Sequence, residues 1–237
     1  MVVKEDFYIG FRMVDDNFSL KSGEMLNLFV DMAGIHSKEV GDFFGAESRW
    51  ILTAYDVKVF KKPSYQDKVS FYTWSRDYNP ALATREFEIR NNLGELLVCA
   101  TSNFVKYNIV SRKFDKLTDE VMACYETERE KTNFGSTKVK RFVEPETYDG
   151  VVTETVDWKW LDLNHHMNNS HYVDLAERVI NTECGENVSQ MSFIVNYKKE
   201  IYENEKIKVY YKKTETGFVV WIKNQENQIN AGIEFYR

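Results

Sequence analysis

Residues 157-DWKWLDLNHHMNN-169 gather an Asp, an Asn, two His and a further Asn pair behind two tryptophans. Three of the chain's four histidines, His165, His166 and His171, lie within seven positions. Such residues could ligate a metal, do acid–base work on a substrate, or form the polar entrance to a helix. Metal ligation fits poorly. Adjacent His side chains diverge, no Cys is near, and His171 stands five residues past His166 rather than the four of a zinc-binding helix. The missing Cys also argues against a thiol nucleophile; Cys184 falls at a helix end. His171 reads as a polar helix-surface position, and His36 as a helix-surface or packed histidine. A loop turning into a helix would use Asp and Asn as well, through side-chain-to-backbone bonds and capping. The run by itself leaves catalytic and structural readings evenly matched.

The elements that must position these residues form an internal repeat. The stretch 57-VKVFKKPSYQDKVSFY-72 resembles 195-VNYKKEIYENEKIKVYY-211, with Lys206-Ile207 over Lys68-Val69, an offset of 138. Asp174-Leu175-Ala176 resembles Asp31-Met32-Ala33 at an offset of 143, and 220-VWIKNQ-225 resembles 87-FEIRNN-92 at 133. Each match is weak, and their shared order is the argument. Each copy reads as a helix followed by strands. Met25, Leu28, Phe29, Met32, Ile35 and Val40 recur at near-helical spacing over 24–40, and Tyr172, Leu175, Ala176, Val179 and Ile180 over 168–183. Asn168 or Asn169 can cap the second helix and Cys184-Gly185 can stop it. Strands are expected at 51–60, 68–76, 84–92 and 96–108, then at 191–199, 206–214, 217–224 and 228–237.

This is an α+β chain of two tandem repeats, each a helix packed on an antiparallel sheet, forming an intrachain pseudo-dimer. The boundaries are 1–140 and 141–237, with a charged linker near 126–146. At the helix offset Asp162 falls on Ser19, Asn164 on Lys21 and His166 on Gly23; at the strand offset Glu200 falls on Lys62. The first copy is thus expected to lack the polar cluster, which favours chemistry over architecture in the second.

Composition removes several function classes. With 43% hydrophobic residues in 237, a sizeable core is available. No run approaches the roughly 20 apolar residues of a membrane span, and the first residues read as neither a secretory signal nor a transit peptide. Three widely spaced cysteines argue against a disulfide framework and for a reducing compartment, the cytoplasm by default. A net charge of −6 argues against a nucleic-acid partner.

Asp162, Asn164, His166, Asn168, Asn169 and Tyr172 match a D-x-N-x-H-x-N-N-x-x-Y motif. With Trp50, Pro63, 73-TW-74, Arg85, 94-GE-95 and 100-ATSNFVKYNIVSRK-113, they make nearly the whole chain resemble the acyl-acyl-carrier-protein thioesterases of fatty acid synthesis. The 197-YKKE-200 stretch is similar to that family's Y-R-R-E. The resemblance implies a double-hotdog fold, hydrolysis of fatty acyl-carrier-protein thioesters, acyl carrier protein as partner, and a catalytic set of Asp162, Asn164, His166 and Glu200. It implies no cofactor or metal, and leaves room for a homodimer of such chains. Plant members follow the Glu with a Cys; here Ile201 stands there, so no thiol can act at that position. The lack of an N-terminal transit extension suggests the bacterial type.

Thioester hydrolysis needs an activated water and stabilisation of an oxyanion. Glu200 or Asp162 would orient or deprotonate water, His166 would assist proton transfer or polarise the carbonyl, and Asn164 would fix water or His166. Direct carboxylate attack stays open. Backbone N–H groups near Met167 to Asn169, at a helix N-terminus, suit the oxyanion. Met25, Phe29 and Met32 could wall an acyl tunnel, though plain core packing fits each of them better. Lys58, Lys61, Lys62, Lys198 and Lys199 are among the candidates for a basic surface toward the acidic carrier protein. Rival readings are an acyl-CoA thioesterase, a non-catalytic acyl-thioester-binding protein and a dehydratase of the same fold.

Overall fold

A computed structural model of the chain describes residues 1–42, 47–136 and 138–237; Thr137, one position of the expected linker, lies outside the described residues. The chain divides into two compact units, Met1–Leu20 with Asn27–Val139, and Lys21–Leu26 with Lys140–Arg237.

In the first unit, β1 (Val2–Tyr8) leads through a 3-10 turn at Phe11–Met13 to α1 (Ser22–Glu39), whose first turn is counted with the second unit. Then follow β2 (Ser48–Val59), β3 (Lys68–Asn79), β4 (Leu82–Asn91), β5 (Leu96–Asn108), the short β6 (Lys113–Phe114) and the single-turn α2 (Asp119–Met122). The strands pair antiparallel in the order β1-β3-β4-β5-β2, with β6 on β5. The fully buried stripe of α1 runs Met25, Phe29, Met32, His36, stepping by three and four residues as one helix face must. Phe29 meets Phe87 at 4.7 Å, Phe71 at 5.9 Å and Tyr55 at 6.1 Å between ring centroids. These are side chains of β4, β3 and β2, so helix and sheet share one aromatic core. Truncating Phe29 to Ala would cost about 3–5 kcal/mol.

The second unit repeats this plan. It comprises β7 (Gly150–Thr155), a 3-10 turn at Trp158–Trp160, α3 (Asn169–Cys184), β8 (Ser192–Tyr197), β9 (Lys206–Lys213), β10 (Gly217–Asn224) and β11 (Ile229–Tyr236). Its antiparallel order is β7-β9-β10-β11-β8, the same path as in the first unit. Helix α3 lies against β9, β10 and β11. Asn168 caps it by accepting from Ser170 N at 3.1 Å, and Gly185, at φ +66°, ends it by donating to Asn181 O.

Each unit opens on a strand that the sequence pattern did not reveal. Of β1 only Val3 is buried, and of β7 no residue is. A strand at the end of a sheet's order, exposed on most of its length, carries little apolar periodicity to read. Among the described residues no helix is long and apolar enough to cross a membrane.

Candidate active site

Residues 161–167 form a closed loop at the entrance to α3. Leu161 and Met167 bridge its ends. Asp162 N donates to His166 O at 2.8 Å, and His165 N donates to Asp162 O at 3.0 Å. The Asp162 carboxylate turns inward, Oδ1 accepting from Asn164 N at 2.7 Å and from His166 N at 3.4 Å. His165 sits at the tip with φ +62°, a conformation that its Cβ disfavours. The D-x-N-x-H spacing is therefore a tight turn. Asp162 and His166 are half-buried, and Asn164 and His165 are exposed.

The first unit contains the same loop at residues 14–20. Val14 and Leu20 bridge its ends, Asp15 N donates to Ser19 O at 2.9 Å, and Phe18 N donates to Asp15 O at 3.1 Å. Asp15 Oδ1 accepts from Asn17 N and Ser19 N, both at 2.9 Å, and Phe18 holds φ +60°. Leu20 N donates to Pro63 O, and its counterpart Met167 N donates to Ile201 O, both at 2.8 Å. The loops correspond at an offset of 147, as do the first residues of α1 and α3, Ser22 and Asn169. This corrects the helix register of 143. An amphipathic helix repeats its apolar face every three to four residues, so a slip of one turn lays apolar on apolar. In the true register Asp162 answers to Asp15, Asn164 to Asn17 and His166 to Ser19. Asp and Asn are common to both loops; His166 is particular to the second.

Glu200 joins the loop through its neighbour, because the Met167–Ile201 bond ties 166–168 to the segment after β8. Its counterpart at the strand offset is Lys62, which is buried, whereas Glu200 is exposed. Among the described residues the Glu200 carboxylate has no hydrogen bond or ion pair. Tyr172, on the first turns of α3, is 2% exposed. Burial raises its phenol above the ordinary range, and the charges of Glu200, Glu205 and Asp162 add to this, in that order. The His166 ring stands edge-on to Tyr202 at 4.8 Å. Tyr202 and Tyr172 lie beside the candidate residues, and the polar pattern of the sequence does not single them out by role. Ile201 is fully buried.

Two of the three N–H groups offered for an oxyanion are already engaged: Met167 N on Ile201 O, and Asn168 N on Trp160 O at 2.7 Å. Asn169 N, at the first position of α3, is the one left as a candidate. His171 is half-buried, with Nδ1 3.8 Å from Asp174 Oδ2 and its ring 6.1 Å from that of Trp160. Among the described residues, no three His, Cys, Asp or Glu side chains converge as metal ligands would.

Buried charge is concentrated in the first unit. Arg85 donates to His36 Nδ1 at 2.9 Å and to Thr73 Oγ1 at 3.1 Å. Burial, with the Arg85 charge second, pushes His36 down to about 3. His36 is therefore a neutral, packed histidine rather than a helix-surface one. Glu86, fully buried, accepts from Thr101 Oγ1 at 2.8 Å; burial raises its carboxyl to about 7 against the pull of that bond and of Arg76. Phe29 and Met32 are fully buried in the same unit, and Met25, in the first turn of α1, is fully buried too.

Comparison with known proteins agrees with this architecture. Residues 1–125 match the acyl-ACP thioesterase N-terminal domain and residues 146–235 the C-terminal domain. The oleoyl-acyl carrier protein thioesterase 1, chloroplastic, of Arabidopsis thaliana is 23% identical over 85% of this chain and 61% of its own. The palmitoyl-acyl carrier protein thioesterase, chloroplastic, of the same plant is 28% identical over 71% of this chain and 48% of its own. The chain thus spans roughly half to three fifths of the length of these relatives. An acyl-ACP thioesterase from Bacteroides thetaiotaomicron has the same fold, with a TM-score of 0.85, 18% identity, and 99% and 97% of the two chains covered. So has the 12:0-ACP thioesterase from Umbellularia californica, with a TM-score of 0.82, 21% identity, and 99% and 96% covered. The two helix-on-sheet units are a double-hotdog fold, and the chain belongs to the acyl-ACP thioesterase family.

Proposed function

We propose that this protein hydrolyses fatty acyl-acyl carrier protein thioesters to a free fatty acid and acyl carrier protein, acting in the cytoplasm. The observation that carries the reading is the pair His166 and Glu200. These are places where the second unit departs from a backbone that the first unit shares: an imidazole stands where the first unit has Ser19, and an exposed carboxylate where it has the buried Lys62. Family membership and the names of the relatives supply the substrate class.

The geometry divides the labour. Asp162 is engaged with the N–H groups of its own loop, so its part is to hold the turn and, through it, His166. Glu200 is exposed, and its carboxylate has no partner among the described residues, which suits it to take a proton from water. His166, half-buried beside Tyr202, would polarise the carbonyl or protonate the departing thiolate. Water adds to the thioester carbon, the tetrahedral oxyanion draws on Asn169 N at the helix entrance, and the C–S bond then breaks. Asn164, two residues along the turn from Asp162, would orient the water or His166.

The test is hydrolysis of acyl-acyl carrier protein by Asp162→Asn, Asn164→Ala, His166→Ala and Glu200→Gln variants, each with its fold verified by circular dichroism. Losses of at least tenfold for His166→Ala and Glu200→Gln are expected. Near-wild-type rates in all four would refute the site. The same assay with acyl-CoA of equal chain length decides the carrier. A higher kcat/KM on the carrier protein, falling as salt rises, is expected from a basic docking surface.

A further inference from the structure

Asn230 is a fully buried amide near the start of β11. Its main-chain oxygen accepts from Lys198 N at 2.8 Å and Lys199 N at 3.2 Å. The first unit makes the same main-chain clasp: Leu97 O accepts from Phe60 N at 3.0 Å and Lys61 N at 3.1 Å. The backbone connection therefore belongs to the shared fold and needs no polar side chain. Only the second unit adds one. Asn230 Nδ2 donates to Glu200 O at 3.1 Å and to Lys199 O at 3.3 Å. Its Oδ1 is buried with no partner among the described residues. An amide buried with half its bonding capacity unmet is costly, and Leu97 shows that the fold accepts an apolar residue there.

From this we infer that Asn230 is a positioning residue for Glu200. Its two donors fix the carbonyls on either side of the Glu200 Cα, and so set the direction in which the carboxylate leaves the backbone. The inference rests on the reading of Glu200 as the group that activates water. It accounts for a buried amide where the first unit has Leu97, in the unit that carries Glu200. Preorganisation of this kind acts on the reaction step more than on substrate affinity.

The test is a double-mutant cycle of Asn230→Leu, which installs the first unit's residue, with Glu200→Gln, assayed on long-chain acyl-acyl carrier protein. Asn230→Leu alone is expected to lower kcat about tenfold, with KM within about twofold and the melting temperature preserved. In the Glu200→Gln background the same change is expected to have no further effect on kcat, because the group it positions is gone. An equal loss in both backgrounds would show a general structural role and overturn the inference. So would wild-type kcat for Asn230→Leu beside an inactive Glu200→Gln, which leaves the role of Glu200 standing. If Glu200→Gln is itself fully active, the reading of Glu200 fails first and takes this inference with it. Should Asn230→Leu not fold, Asn230→Ala serves in the same cycle, since it removes the donors without adding bulk.

Discussion

The loops 14–20 and 161–167 have the same backbone and different chemistry. Both close on a bridge, turn an Asp carboxylate onto their own N–H groups, place one non-glycine residue at φ near +60°, and hand over to a helix two residues later. Yet the first carries Ser19 and is tied to the segment of the buried Lys62, and the second carries His166 and is tied to the segment of Glu200. The comparison separates two roles that a single motif runs together. Asp162 and Asn164 occupy positions where the fold itself uses Asp and Asn. The counterparts of His166 and Glu200 are Ser19 and the buried Lys62, neither an imidazole nor an exposed carboxylate.

Changes that break this comparison should differ in kind. The largest effect is expected from Glu200→Gln, which removes a proton acceptor and leaves the loop untouched. Hydrolysis should fall about 10²–10⁴-fold with an unchanged melting curve. Next come the paired substitutions Asp15→Ala and Asp162→Ala. Each removes two side-chain-to-backbone bonds, and each should cost about 1–2 kcal/mol in chemical denaturation. Only Asp162→Ala should also impair hydrolysis; equal activity in both would mean that the turn does not position His166.

A third prediction contrasts the exposed Glu200 with the buried charges of the first unit. His36 is held at about 3, below its ordinary 6.5, so the unfolded chain binds the extra proton. Its contribution is complete above about 6.5 and is lost as pH falls toward 3. Glu86 is raised from 4.5 to about 7, so its contribution is present below about 4.5 and is lost as pH rises through 7. Melting temperature measured against pH should therefore decline on the acid side. Glu86→Gln should reduce the loss on crossing from 4.5 to 8; an unchanged profile would remove Glu86 from the account. The smallest effect is expected at the loop tips. Phe18→Gly and His165→Gly relieve the positive φ at an entropic cost, so stability should move by no more than about 1 kcal/mol. Hydrolysis should stay near wild type in both; a large loss for His165→Gly would show that His165 is more than a spacer.

The sequence was legible where periodicity and rare residue types coincide. Helix α3, with its Asn168 cap and Gly185 stop, and most of the inner strands could be read from spacing. The repeat is legible too, but the apolar face of α1 looks alike every four residues, so periodicity alone allows a register one turn off, in which Asp15 and Asn17 have no counterparts. The stretch 14-VDDNFSL-20 holds no histidine and so carries no rare residue type to mark it. Strands β1 and β7 left almost no apolar trace. Asn230 could not be found from sequence at all, because its meaning lies in the carbonyls it meets across the sheet. Two of the three oxyanion donors expected from sequence are engaged for a related reason: which N–H groups remain open depends on partners such as Ile201 O and Trp160 O.

The central claim is that the second loop works because His166 stands where the first loop has Ser19. Replacing His166 by Ser puts the first loop's residue into an unchanged turn. The measurement is kcat/KM of His166→Ser on acyl-acyl carrier protein, with the melting temperature taken on the same preparation. The account predicts a loss of at least about 100-fold with the melting temperature preserved. A variant that folds normally and hydrolyses the thioester at the wild-type rate would contradict it.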